Sequence, residues 1–220
     1  MVQRACSFVR SDGRRGRLDY LLFTPQRATG GRRPPLILFL HGSEERGRDL
    51  ELVKRHGMPR VVADDPAFPS VVVSPQCPAG ARWHQYLCTL GALLDDVVAR
   101  CGVDPDRVYL TGLSMGGYGT WHLAARYPDR FAAIAPICGG GLRSLGFPEK
   151  VRVLRKVPVW AFHGARDQNV PVEETQRLVD ELRACGGDVR LTIYPDAGHD
   201  SWTRTYADPR LFEWMLAQRR

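Results

Sequence analysis

A serine stands in Gly112-Leu-Ser114-Met-Gly116, and glycine two residues to either side of a serine has a steric meaning. A sharp turn from strand into helix forces strained backbone angles on the serine and brings the flanking chain very close to it. The glycines remove the Cβ atoms that would clash, and the hydroxyl is left exposed as a nucleophile. A hydroxyl needs a base within reach and a third group that orients the base. His199, in Pro195-Asp-Ala-Gly-His199-Asp-Ser-Trp202, offers an imidazole, the side chain suited to taking a proton near neutral pH. The small Ala197-Gly198 lets its loop approach closely. Asp167, in His163-Gly-Ala-Arg-Asp167-Gln-Asn-Val-Pro171, offers a carboxylate to steady the imidazolium. Asp196 is nearer to His199 in the chain, but Pro195-Asp196 reads as turn chemistry. The N–H groups of Ser43, in His41-Gly42-Ser43, and of Met115 would then hold a developing oxyanion.

These side chains are far apart in sequence, so a fold must bring them together. Val108 to Thr111 is a β-branched and aromatic run that reads as a buried strand, and a helix from about Gly116 to Tyr127 follows it. Leu36 to Leu40 is apolar without alternation, the pattern of a strand buried on both faces. Val71 to Ser74, Phe131 to Ile137, Val157 to Phe162 and Val189 to Tyr194 read as further strands. Leu90 to Arg100, Val172 to Cys185 and Pro209 to Gln218 read as helices, with a short one near Leu50 to Arg55. Ala5 to Arg10 and Leu18 to Phe23 form a hairpin around Ser11 to Arg15. Thr24 to Pro35 and Pro75 to Trp83 read as loops, and Gly139 to Gly141 as a flexible one. The alternation predicts an α/β fold, a mostly parallel twisted sheet with helices on both faces and an antiparallel N-terminal hairpin. Ligands in such sheets bind beyond the carboxyl ends of the strands. Ser43, Ser114, Asp167 and His199 all follow strands.

The 220 residues read as one domain, 1–220, with no internal repeat. Hydrophobic content of 44% and charged content of 25% are those of a soluble globule. No apolar run is long enough to span a bilayer, and Met1 to Arg10 lacks the apolar core of a secretion signal, so a cytoplasmic setting is expected. The net charge of +7 is scattered arginine. Its densest patches, Arg14-Arg15-Gly16-Arg17, Arg32-Arg33 and Arg219-Arg220, have no interleaved aromatics, which argues against nucleic-acid binding. Six cysteines form no C-x-x-C pair, and cysteine and histidine do not cluster at ligand spacing. Cys101, Cys138 and Cys185 are read as small buried hydrophobes with reduced thiols, and no metal site is expected.

Taken together, Leu40-His-Gly-Ser-Glu-Glu-Arg-Gly47, Ser74-Pro-Gln-Cys-Pro78 with Trp83, Gly112-Leu-Ser-Met-Gly-Gly-Tyr-Gly-Thr-Trp121, Phe162-His-Gly-Ala-Arg-Asp167 and Ala197-Gly-His199 cover most of the chain. The chain resembles the α/β-hydrolase fold, within the compact esterases that include phospholipase/carboxylesterases and predicted peptidases related to feruloyl esterases. The resemblance implies Ser114, Asp167 and His199 as nucleophile, acid and base. Relatives often have a small residue where Ser43 stands, and serine keeps the backbone donor. Similar dienelactone hydrolases use a cysteine nucleophile, and Ser114 argues against that activity.

The mechanism expected is ester cleavage through an acyl-enzyme, with no metal or cofactor and a small-molecule ester as the partner. Short connections leave no room for a large lid, which predicts an open site for short acyl, aryl or sugar esters. Gln76, Trp83, His84 and Trp202 lie in loops at the right sheet edge and are candidates for its walls, with core packing as the alternative for the tryptophans. Two other readings use the same residues. One is a peptidase of the prolyl-oligopeptidase type, which would usually carry a gating domain; the other is a catalytically dead binding protein, which would have lost a triad member.

Overall fold

The computed structural model describes residues 3–10, 16–25 and 33–220. Among the described residues eight strands form the sheet: β1 Gln3–Val9, β2 Arg17–Phe23, β3 Leu36–Leu40, β4 Val71–Pro75, β5 Val108–Leu113, β6 Ala133–Ile137, β7 Val159–Gly164 and β8 Val189–Tyr194. Their order is β1-β2-β4-β3-β5-β6-β7-β8. β1 and β2 pair antiparallel, as do β2 and β4, and every other neighbouring pair is parallel. The predicted hairpin is therefore present as a strand pair, while its turn at 11–15 and much of the loop at 26–32 lie outside the described residues. So do Arg14, Arg15 and Arg32 of the basic patches.

The helices are α1 Met58–Asp64, α2 Leu87–Arg100, α3 Met115–Arg126, α4 Glu173–Ala184, α5 Trp202–Tyr206 and α6 Pro209–Ala217. All residues of β3, β4, β5 and β6 are buried, as expected of parallel strands covered on both faces. Leu90, Leu93, Leu94 and Val97 of α2, Trp121 and Leu123 of α3, and Leu178 and Leu182 of α4 pack on one face. Met58 and Val62 of α1, Tyr206 of α5 and Leu211 and Met215 of α6 pack on the other.

Three elements differ from the sequence reading. α1 is an addition; its glycine and proline at the start mask a short apolar pattern, since Gly57 takes φ 66° as N-cap and Pro59 fills the first turn. α5 is a five-residue helix that starts at Trp202, the last residue of the stretch read as the His199 loop. The segment at 139–141 is pinned rather than loose: it is buried, Thr175 Oγ1 donates to the Gly139 carbonyl at 2.8 Å, and the Arg177 guanidinium donates to the Gly141 carbonyl.

Candidate active site

β5 lies between β3 and β6, and its register with β3 places Leu40 opposite Gly112. Ser114 follows β5 directly as the N-cap of α3, with φ 53° and ψ −117°. A non-glycine residue there is strained and persists because its surroundings hold it. Its N–H donates to the Ile137 carbonyl at 3.0 Å and also meets Cys138 Sγ at 3.3 Å, while its carbonyl accepts from Tyr118 N–H at 3.0 Å. The flanking glycines are required sterically: a Cβ on Gly112 would stand 2.5 Å from the Gly116 carbonyl oxygen.

Asp167 and His199 arrive from the loops after β7 and β8, two positions and three positions away from β5 in the sheet. His199 Nε2 lies 2.9 Å from Ser114 Oγ, and His199 Nδ1 lies 2.7 Å from Asp167 Oδ2. Asp167 Oδ1 accepts from the N–H groups of Asn169 and Val170, both at 2.9 Å. Burial pushes the Asp167 carboxyl up, but the His199 contact and these two N–H groups outweigh it and hold the group below the usual carboxylate range. Asp167 is thus ionised at neutral pH and its side chain is fully enclosed, whereas His199 is partly open to solvent. Asp196 turns outward to Arg204 at 3.1 Å.

The loop after β3 carries Ser43, and three side chains brace it. His41 donates from Nδ1 to the Gly42 carbonyl at 2.6 Å and accepts at Nε2 from Cys77 N–H at 2.9 Å. Burial holds this ring neutral by lowering its pKa to about 4. Trp83 Nε1 donates to the His41 carbonyl at 2.9 Å. Gln76 Nε2 donates to the carbonyls of Glu45 and Asp49 at 2.8 and 2.7 Å. The sequence expectation for Gln76 as a wall of the site is therefore corrected. It is buried beneath the loop and borders a separate hollow with Arg17, Asp19 and Arg48. Trp83 is 1% exposed and is chiefly a core residue that ties down the same loop.

Two cavities meet near the serine. One, of about 290 Å³, is lined by Ser43, Glu45, His56, Ser114, His199 and Trp202. The other, of about 440 Å³, lies on the Met115 side and is lined by Trp83, His84, Tyr118, His122 and Leu142, with Asn169 and Val170 bordering both. His84 and Trp202 thus sit at cavities touching the site. Trp202 packs edge-on to both His199 and His56, at centroid distances of 5.2 and 5.6 Å.

Sequence reasoning missed Glu45, His56, Asn169, His122 and Cys138. Glu45 is 4% exposed, its Oε2 has no hydrogen-bond partner among the described residues and stands 3.8 Å from His41 Nδ1, and burial raises its pKa. The point where a Cβ on Gly42 would stand is 3.1 Å from that oxygen and 3.8 Å from Ser114 Cβ, and Glu45 and Ser114 line the same cavity. Its place in Glu44-Glu45-Arg46, an evidently charged loop, concealed its burial. Cys138 Sγ, an Asp167 oxygen and a His199 nitrogen all lie within 4.8 Å of one another. Burial pushes the Cys138 thiol up to about 12, and His199 Nδ1 and Asp167 Oδ2 are spent on each other, so the trio suits a neutral thiol beside a paired imidazole and carboxylate better than a metal centre.

The family model for phospholipase/carboxylesterases matches residues 68–212. The chain belongs to that family. This α/β-hydrolase superposes on a thermostable esterase with a TM-score of 0.85 and 33% identity, over 100% of this chain and 64% of that one. It is 32% identical over 153 residues to a putative carboxymethylenebutenolidase of Salmonella typhimurium, covering 68% of this chain and 54% of the relative. The chain of a putative dienelactone hydrolase of Klebsiella pneumoniae shares the fold, with a TM-score of 0.74 at 20% identity over 98% and 99% of the two chains. The chain spans about half the length of the curated relatives it matches. Among the described residues no helix is long and apolar enough to cross a membrane.

Proposed function

We propose that this chain hydrolyses carboxylic esters through a covalent acyl-enzyme on Ser114. The observation that carries the reading is the unbroken line from Asp167 Oδ2 to His199 to Ser114 Oγ, with both hydrogen bonds under 3 Å. In this reading His199 Nε2 takes the hydroxyl proton as Ser114 Oγ attacks the ester carbonyl, and Asp167 stabilises the imidazolium. The N–H of Met115 lacks an intrahelical acceptor because it opens α3, and with that of Ser43 it holds the oxyanion. His199 then protonates the departing alkoxide. Water, deprotonated by the same ring, attacks the acyl-enzyme, and Ser114 leaves with the proton.

Short acyl, aryl or sugar esters are the proposed substrates. The cavity shared by His199 and Trp202 lies on the side where the ring delivers its proton, so it takes the alcohol part. The cavity at Met115, Tyr118 and His122 takes the acyl part.

A fluorophosphonate probe should label Ser114, and Ser114→Ala should lose labelling together with turnover of p-nitrophenyl acetate, by on the order of 10⁶-fold. Esters should be cleaved far faster than peptide p-nitroanilides. Retention of substantial esterase turnover by Ser114→Ala would overturn the assignment.

A further inference from the structure

His163 has no step in the reaction above, yet it faces the same carboxylate oxygen as the catalytic base. It lies in β7 with a fully enclosed side chain, and its Nε2 stands 3.3 Å from Asp167 Oδ2, the oxygen that His199 Nδ1 meets at 2.7 Å. The ring's protons can be counted from its partners. Nε2 is 2.9 Å from the Val170 carbonyl, which can only accept, so Nε2 carries a proton. Nδ1 is 2.8 Å from Thr175 Oγ1. That hydroxyl has a single proton and lies 2.8 Å from the Gly139 carbonyl, which again can only accept. The Thr175 proton goes to Gly139, and Nδ1 must donate as well.

Neither neutral tautomer satisfies the set. With Nδ1 bare, Thr175 must turn its proton to the ring, and its oxygen faces the Gly139 oxygen with nothing between them. With Nε2 bare, a lone pair faces both the Val170 carbonyl and the Asp167 carboxylate. We propose that His163 is a resident imidazolium that shares Asp167 with His199 and sets the basicity of the catalytic ring.

The charge balance agrees. Asp167 is ionised and enclosed, with the N–H groups of Asn169 and Val170 and the His199 ring donating to it, and an imidazolium at His163 supplies the opposite charge at 3.3 Å. The groups around His163 are consistent with one cation. Asp167 is the anion beside it, Cys138 is held neutral by burial, and His199 is the other ring on the same oxygen. Glu174, next to Thr175 on α4, is engaged by Arg177 at 2.5 Å. Burial, with the His199 ring, pushes His163 toward its neutral form more strongly than the Val170 carbonyl and Asp167 push back. Against that stand three acceptors around the two ring nitrogens, Thr175 Oγ1 at Nδ1 and the Val170 and Asp167 oxygens at Nε2, which call for a proton on each.

The functional consequence concerns His199. A fixed positive charge on the far side of the shared carboxylate makes protonation of His199 harder. The base therefore stays free to lower pH and gives up its proton more readily to the leaving group. His163 is a positioning residue, because it acts on the reacting atoms only through Asp167.

This inference rests on the triad proposed above, and two readouts separate the failures. In ¹⁵N-histidine-labelled wild-type protein at pH 7.5, both ring nitrogens of His163, assigned through contacts to the Thr175 methyl group, should be protonated. One bare nitrogen would overturn the proposal whatever Ser114 does, whereas failure of the fluorophosphonate to label Ser114 would sink the triad and leave the spectrum untouched. In His163→Gln, which keeps a donor for Val170 but no charge, the acid limb of kcat/KM for p-nitrophenyl acetate should move up by about one pH unit. The plateau above it should change only a few-fold, as a merely structural residue would not produce. An unmoved limb in folded His163→Gln overturns the proposal, and if that variant fails to fold the wild-type spectrum decides alone.

Discussion

Gly116 lies directly beneath the carbonyl of Leu40: a Cβ on it would stand 1.8 Å from that oxygen and 2.8 Å from the carbonyl oxygen of His41. The first turn of α3 and the end of β3 therefore touch through backbone alone. This contact sets how near Ser114 comes to the loop bearing Ser43, and hence whether two N–H groups from different elements converge on one oxygen.

Gly116→Ala should accordingly separate α3 from β3, because the obstructing atoms are backbone and cannot rotate aside. The expected result is loss of at least 10²-fold in kcat, the scale of losing one oxyanion donor, together with destabilisation of about 2 kcal/mol or more from overpacking. Steady-state kinetics and urea unfolding of the same preparation check both. Wild-type kcat in Gly116→Ala would show that the two donors do not depend on this contact.

Gln76 supports a different expectation from the one its sequence position suggests. Its amide holds the carbonyls of Glu45 and Asp49; Asp49 keeps the N–H of Leu52 at 3.1 Å, so Gln76→Leu should leave the Glu45 carbonyl unpaired, at about 1–3 kcal/mol where fully buried. The loop carrying Ser43 should loosen, lowering kcat by a similar factor for every ester in a panel and leaving KM nearly constant. A change in ester preference without loss of stability would return Gln76 to the wall of the site.

The strand–turn–helix at Ser114 was legible because glycine spacing, a β-branched run and a helix pattern coincide within a dozen residues. Asp167 and His199 were legible because each follows a strand end in an α/β alternation, where side chains converge. The partners of those residues were not. His163 reads as one more apolar-strand terminus, and its meaning depends on Thr175 and Val170, which only the packing of α4 against β7 brings near. Gln76 was placed at the correct sheet edge but on the wrong side of the backbone, since a loop sequence gives no periodicity from which to read a direction. Glu45 was hidden for a related reason: a run of charges reads as solvated surface, and burial of one member depends on the fold of the loop.

Two enclosed histidines should make stability depend on pH well above the carboxylate range. Burial lowers both His41 and His122 from 6.5 to about 4. Between these values the unfolded chain binds protons that the folded protein refuses, so stability is full above about pH 6.5 and falls as the pH drops toward 4. Each ring contributes at most roughly 3 kcal/mol across that window. The lowered Asp167 adds its own loss only below the unfolded carboxylate value near 3.8. His122 accepts from Leu142 N–H at 3.3 Å, a role that the side-chain carbonyl of glutamine can keep. His122→Gln should therefore fold, and its urea midpoint should decline by roughly half as much between pH 6.5 and 4.5 as that of the wild type. An equal decline in the two proteins would mean that His122 takes up its proton in the folded state as readily as in the unfolded one.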